Sequence, residues 1–185
     1  EADALAQVQH PNVVGVFDRG TWEGQRFLAT EFVRGTTLRA WLEAHRVRGA
    51  LPARSEVLVV FDRMCAGVAA AHAVRSPGPI VHRDLKPENV MVDAHDAADP
   101  QVKILDFGIA QLGGRKGTQT GALLGTLSYM APEQGVGDVR AVAPTTDVFA
   151  LGVILVEMLT LRSQPDDTGA WWGVVLRRAG AVRAL

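Results

Sequence analysis

Residues 82–89 read His82-Arg83-Asp84-Leu85-Lys86-Pro87-Glu88-Asn89. No other stretch constrains the chain as tightly. Ile80-Val81 and Val90-Met91-Val92 flank this octet, which predicts a polar loop held between two short strands. The octet puts Asp84, an acid able to take a proton, five residues before Asn89, an amide oxygen able to bind a metal. Val102 to Leu105 reads as another strand, and Asp106-Phe107-Gly108 follows it directly.

These residue types suit phosphoryl transfer. That reaction needs an in-line nucleophile, metal ions on the phosphates and positive charge where negative charge builds up. Asp84 fits a base or positioner for a hydroxyl, and Lys86 can neutralise the moving phosphoryl group. Asn89 and Asp106 offer hard oxygens for Mg²⁺. Gly108 gives the backbone freedom for a sharp turn.

The chain of 185 residues suffices for one domain or a large part of a two-lobed one. Hydrophobic residues make up 48%, charged residues 21%, and the net charge is −1. This is a globular composition, with no electrostatic case for nucleic acid or a membrane surface. Cys65 is the single cysteine, which excludes an internal disulfide and suits a reducing, cytoplasmic setting. It is most simply a small core residue. The longest apolar stretch, Val148 to Val156, is too short to span a bilayer. Tethering through regions outside these residues stays open.

Glu1 to Val8 reads as the last turns of a helix stopped by His10-Pro11-Asn12. Val13 to Phe17 suggests a strand closed by Asp18-Arg19-Gly20, and Arg26 to Val33 a second strand. Thr36 or Thr37 can cap a short helix through Glu43. A long helix follows Pro52–Ser55, with Val57, Phe61, Met64, Cys65, Val68 and His72 at helical spacing, and ends by Ser76-Pro77-Gly78-Pro79. Gly113 to Gly125 has no periodicity and reads as a mobile loop. Val148 to Leu159, apolar on nearly every face except Glu157, reads as a buried helix. Trp171 to Leu185 reads as a final helix whose tryptophans pack on the domain.

Five ordered blocks together carry a resemblance. Besides the octet and Asp106-Phe107-Gly108, they are His10-Pro11-Asn12-Val13-Val14, the run Gly125-Thr126-Leu127-Ser128-Tyr129-Met130-Ala131-Pro132-Glu133-Gln134, and Asp147 to Gly152. Over Glu1 to about Leu161 the chain resembles the eukaryotic-like Ser/Thr protein kinases, above all their bacterial members. The resemblance implies an α+β, kinase-like fold. Residues 1–33 would be a remnant of the β-rich N-terminal lobe, holding the end of one helix and two strands. Residues 34–185 would be a mostly helical C-terminal lobe with catalytic loop and activation segment, cut short at its end.

The family roles carry over position by position. Asp84 matches the catalytic acid, Lys86 the phosphate-contacting lysine, and Asn89 and Asp106 the metal ligands. Glu1, nine residues before His10, matches the helix glutamate that pairs with the ATP-binding lysine. Thr30 matches the gatekeeper, Glu31 and Val33 the hinge that hydrogen-bonds adenine, and Met91 the floor under the ring. Leu5, Val16, His82 and Phe107 resemble a stacked apolar column linking the lobes, with Asp147 as its anchor. His72 reads as a packing or capping residue, and Glu133 as a pin for the activation segment.

Lys86-Pro87-Glu88 and Thr126 resemble Ser/Thr rather than Tyr kinases. Arg83 matches the arginine that docks a phosphorylated loop, and Thr118 and Thr120 resemble the paired regulatory threonines of bacterial kinases. The implied ligands are ATP and Mg²⁺ or Mn²⁺, and the implied partners are proteins bearing Ser or Thr.

The sequence also departs from the family. No Gly-x-Gly-x-x-Gly occurs in the 185 residues, and the expected third-strand lysine is not among them. After Leu161, Arg162-Ser163-Gln164-Pro165 stands where the family has a Pro-Pro-Phe-like turn. These departures imply that residues 1–185 alone transfer phosphate poorly. They also imply an open apolar edge on the two N-terminal strands, which invites association. Two rival readings stand beside the first: an inactive pseudokinase or interaction module, and a small-molecule phosphotransferase. The intact Asp84, Lys86, Asn89 and Asp106 set disfavours the former. The Gly125 to Glu133 segment, a peptide-holding platform in protein kinases, disfavours the latter.

Overall fold

The chain enters its described part at a stop. Val13 N–H donates to His10 O (3.0 Å), and Asn12 N–H to His10 Nδ1 (3.1 Å), so His10-Pro11-Asn12 folds as a turn. A computed structural model of the chain describes residues 8–76, 78–96, 99–107, 128–135 and 142–162.

Two strands follow, β1 (Val16–Trp22) and β2 (Gln25–Thr30), paired antiparallel. Their turn is Glu23-Gly24, with φ of 50° and 78°. Positive φ at both central residues gives a turn whose twist matches that of the strands. Asp18-Arg19-Gly20 was the expected break. Instead these residues lie inside β1, opposite Ala29, Leu28 and Phe27, because the two-residue turn joins the strands more tightly than a polar triplet can. The hairpin holds Phe17 (75% exposed) and Trp22 (70% exposed) in the open.

The expected strand over Val13–Phe17 is likewise split. Val13 forms a parallel bridge with Ile104, Val14 N–H donates to Ile104 O (2.9 Å), and Ile104 N–H to Asn12 O (2.9 Å). Asn12 is itself buried and donates through Nδ2 to Val102 O (2.9 Å).

The central sheet has the order β3 (Thr36–Thr37), β4 (Val90–Asp93), β5 (Gln101–Ile104), all antiparallel. Gly35 allows the chain to reach it: φ is +98°, and an added Cβ would lie 2.3 Å from Val92 O, so no other residue fits. Thr37 then caps α1 (Leu38–Arg48), accepting from Ala40 N–H at 3.1 Å. The helix continues past Glu43 because Trp41, Leu42 and His45 keep its apolar stripe going, and it stops at Gly49 with φ 67°. Ile80-Val81 forms no strand; Ile80 N–H donates to Ala71 O (3.0 Å) at the end of the preceding helix.

That helix, α2 (Arg54–His72), packs against β5 on one side and α4 (Pro144–Thr160) on the other. Val57, Met64 and Val68 are buried, and Phe61 and Cys65 pack beside them. Burial, with Asp62 nearby, pushes the Cys65 thiol up, which fits an inert core residue. A short helical turn, α3 (Pro132–Gly135), precedes α4. Among the described residues no helix is long and apolar enough to cross a membrane.

Helix α4 reverses one expectation. Glu157, the supposed polar exception, is only 1% exposed, whereas Val148 and Val156 are 58% and 49% exposed. The carboxylate is buried because it is paired. Arg39 Nη1 lies 2.6 Å from Oε1, Arg46 Nη2 lies 3.6 Å from it, and Tyr129 Oη donates to Oε2. Arg39 also reaches Glu88 (2.8 Å) and Tyr129 Oη (2.5 Å). Burial would lower the Arg39 pKa, but the bonds to Glu157 and Glu88 raise it further still. Burial and then Glu157 push the Tyr129 hydroxyl up. Within this group Arg39 therefore stays charged and Tyr129 stays a phenol.

Glu31 makes a second long-range link, from the end of the hairpin to β5. Its Oε1 accepts Gly15 N–H at 2.7 Å and the Lys103 ammonium. Burial pushes this carboxyl up, yet Lys103 and the Gly15 amide outweigh it and hold it below its ordinary 4.5. A depressed carboxylate stabilises the fold fully above pH 4.5, and the contribution is lost as pH falls through the folded value.

Two outcomes follow from these contacts. Glu157→Gln leaves Arg39 without its buried counter-charge and should cost about 2–4 kcal/mol in urea unfolding; an unchanged midpoint would refute the pairing. The stability gap between the chain and Glu31→Gln should be constant above about pH 5 and shrink below pH 4.5, measured as urea midpoints from pH 7 to 3. A gap that widens on acidification would refute the Glu31–Lys103 link.

Candidate active site

The octet folds as a loop ending in a single 3-10 turn, Pro87–Asn89. Pro87 sits at the first position, where a missing N–H costs nothing. Asn89 N–H donates to Lys86 O (2.9 Å), and Asn89 O accepts Leu105 N–H (2.8 Å). The turn is thereby tied to the end of β5, just before Asp106.

Three of the expected residues meet within this loop. Lys86 Nζ is 2.9 Å from Asp84 Oδ2. Asn89 Nδ2 donates to Asp84 O (2.8 Å) and Oδ2 (3.3 Å). Both amide hydrogens of Asn89 are spent on Asp84, so its Oδ1 is left to accept. Asp106 is exposed and has φ 55°, a left-handed conformation. The next residue, Phe107, is buried against His82, with ring centroids 4.7 Å apart.

The loop is held from behind by Asp147, near the start of α4 and 1% exposed. Its Oδ2 accepts His82 N–H (2.8 Å) and its Oδ1 accepts Arg83 N–H (3.0 Å). His72 Nε2 is 2.7 Å from Oδ2, which requires an N–H on that nitrogen while Asp147 is ionised. His72 is thus a partner to the anchor rather than plain packing.

His82 Nε2 is 2.7 Å from Leu105 O, so that nitrogen also carries the hydrogen. Its Nδ1 then accepts Asp84 N–H (3.3 Å). Burial pulls the His82 pKa down against the pull of Asp147, and the neutral ring is the form able to accept at Nδ1. Arg83, between these two residues, has φ 67°.

A third element closes on the loop. Gln134 Nε2 donates to Arg83 O (2.7 Å), while its Oε1 accepts Ala131 N–H (3.0 Å). Glu133 accepts the hydroxyl of Thr146 (2.6 Å), at the start of α4. Arg83, Asp84, Tyr129, Met130, Gln134 and Thr146 line a small pocket here.

The expected base-binding residues lie along the segment joining hairpin to sheet. Thr30 ends β2 opposite Val16 and is exposed. Glu31 N–H is engaged with Gly15 O (2.9 Å), so its carbonyl is the backbone group it can offer. Val33 follows, half-buried, between β2 and β3, and Met91 is half-buried in β4 opposite Lys103. Glu1, Leu5, Gly108, Thr118, Thr120 and Thr126 lie outside the described residues, as does the stretch Trp171 to Leu185.

The polar partners Arg39, Tyr129, Glu157, Lys103, Thr146 and Gln134 had been given no role from sequence. One signal could have exposed Glu157: an acid inside an otherwise apolar helix demands a partner. The donor set of one Asn and one Asp suits Mg²⁺ held jointly with phosphate oxygens and water. Among the described residues no group of three His, Cys, Asp or Glu could form an all-protein cage.

Comparison with known proteins places the chain in a family. Residues 1–168 match the model of the protein kinase domain. The chain is 40% identical over 171 residues to serine/threonine-protein kinase Pkn1 of Myxococcus xanthus, covering 91% of this chain and 23% of that protein. It is 40% identical over 162 residues to serine/threonine-protein kinase PknD of Mycobacterium tuberculosis, covering 86% and 22%. It is 33% identical over 171 residues to serine/threonine-protein kinase PrkC of Bacillus subtilis, covering 92% and 24%. The chain therefore spans about a quarter of the length of these relatives. With the sequence blocks and the loop geometry in agreement, the chain belongs to the protein kinase domain family.

Proposed function

We propose that this chain is catalytic-domain sequence of a Ser/Thr protein kinase that moves the γ-phosphoryl group of ATP to protein hydroxyls. The observation that carries the reading is the Asp84 carboxylate, shared between Lys86 Nζ (2.9 Å) and Asn89 Nδ2 (3.3 Å) on a loop anchored at Asp147. In this reading Asp84 orients the acceptor hydroxyl and takes its proton as the new P–O bond forms and the bond to the leaving phosphate oxygen breaks. Lys86 Nζ, 2.9 Å from Asp84 Oδ2, is placed to meet negative charge on the transferring group.

Asn89 Oδ1 and Asp106 would hold Mg²⁺ or Mn²⁺, which supplies charge neutralisation on the phosphates. Thr30, Glu31, Val33 and Met91 would border adenine, and Glu1 would serve as the family's helix glutamate that pairs with the ATP-binding lysine. Thr126 would take the role of the Ser/Thr-kinase threonine that contacts the catalytic acid. The relatives' printed names, all serine/threonine-protein kinases, support the acceptor class. A cytoplasmic setting rests on the single cysteine.

Asp84→Asn keeps size and removes the base. In the protein that carries these residues, it should lower transfer of labelled γ-phosphate to a Ser/Thr acceptor by about 10²–10⁴-fold. Undiminished transfer by the variant would exclude Asp84 as the base. Absence of transfer by the unaltered protein, at saturating Mg·ATP, would favour the pseudokinase reading. Arg83 beside the catalytic acid also suits docking of a phosphorylated loop. Phosphopeptide mapping of active protein should find Thr118 or Thr120 modified, and finding both bare would refute that role.

A further inference from the structure

Arg83 stands between the loop's anchor and its acid, and its backbone is left-handed, at φ 67°. For a bulky residue this conformation is strained, so something must hold it. On the amide side the hold is Asp147 Oδ1, at 3.0 Å. On the carbonyl side it is Gln134 Nε2, at 2.7 Å. The Arg83 carbonyl belongs to the peptide that leads into Asp84, so its orientation sets where the Asp84 backbone starts.

We infer that Gln134 is a positioning residue for Asp84, clamping the Arg83–Asp84 peptide from α3 so that the carboxylate is presented in one orientation. The inference deepens the proposed kinase reading and rests on it for its effect on rate, though not for the clamp itself.

The chemistry at position 134 is restrictive. One end of the side chain must donate to a carbonyl and the other must accept from the Ala131 amide, at 3.0 Å. A primary carboxamide does both, and its two partners fix which end is nitrogen. A carboxylate of the same shape keeps the Ala131 bond and sets an acceptor against the Arg83 carbonyl. An apolar side chain loses both bonds. Glu133, by contrast, accepts the Thr146 hydroxyl (2.6 Å) at the start of α4. The adjacent side chains thus divide the work: Glu133 fixes α3 to α4, and Gln134 fixes α3 to the octet.

The test uses Gln134→Glu and Gln134→Met in the protein that carries these residues, with two readouts. Amide hydrogen exchange over residues 82–89 should rise in both variants, while exchange over α2 stays as in the unaltered protein. In phosphotransfer, kcat should fall by about 10- to 100-fold with KM for ATP nearly unchanged, as expected when reacting groups are misplaced without loss of binding. Asp84→Asn combined with Gln134→Glu should be little worse than Asp84→Asn alone, which a general loss of structure would not give.

Unchanged exchange over 82–89 in both variants overturns the clamp. Raised exchange with full kcat overturns the positioning role. If the unaltered protein transfers no phosphate, the kinase reading fails, and the exchange result still decides the clamp.

Discussion

One buried carboxylate organises the loop on which everything else depends. Asp147 is taken out of water near the start of α4, at a desolvation cost of several kcal/mol for an unpaired ion. Three groups offset it: the amides of His82 and Arg83 and the ring of His72. Two of these are consecutive backbone N–H groups, one on each carboxylate oxygen. Just beyond the second amide the chain turns through the left-handed Arg83. The bonds that offset burial of the acid also fix the path of the loop backbone. Asp84, Lys86 and Asn89 inherit their positions from it.

The same helix buries a second acid, with a different solution. Glu157 lies ten residues beyond Asp147, about 15 Å along the axis. Its partners are cations and a phenol rather than amides. Arg39 brings α1 and, through Glu88, the 3-10 turn next to Asn89 into this group. Helix α4 therefore grips the octet at both ends, through Asp147 before Asp84 and through the Glu157–Arg39–Glu88 chain after Lys86. A rigid helix spanning the two ends converts local loop geometry into a property of the core.

What the sequence made legible follows from range. Asp84, Lys86 and Asn89 sit within six residues, and their grouping in space needed only a turn. Helix α2 was readable from Val57, Met64 and Val68 at helical spacing. The partners that fix the site are far apart: Gln134 and Arg83 by 51 positions, Arg39 and Glu157 by 118. No local pattern carries such pairings. Glu157 stands out in the sequence only as an exception to an apolar helix, because a hydrophobicity pattern registers charge and not its neutralisation. Asp18-Arg19-Gly20 masks the Glu23-Gly24 turn because composition marks breakers without saying which pair can take positive φ together.

The balance at Arg83 explains why the loop needs more than one clamp. Left-handed strain of roughly 1–2 kcal/mol opposes a charge-assisted bond from Asp147, worth about 1.5–3 kcal/mol, and a neutral one from Gln134, worth about 0.5–1.5 kcal/mol. Asp147 alone meets the strain with little to spare, which would leave the peptide free to rotate at its carbonyl end. The Gln134 bond supplies the surplus and does so on the side nearer Asp84. His82 adds a third restraint by accepting the Asp84 amide at Nδ1 (3.3 Å), which only the neutral ring can do. Burial that keeps His82 uncharged is therefore part of how the acid is aimed. The preorganisation of Asp84 is a sum of modest terms, each drawn from a different element of the fold.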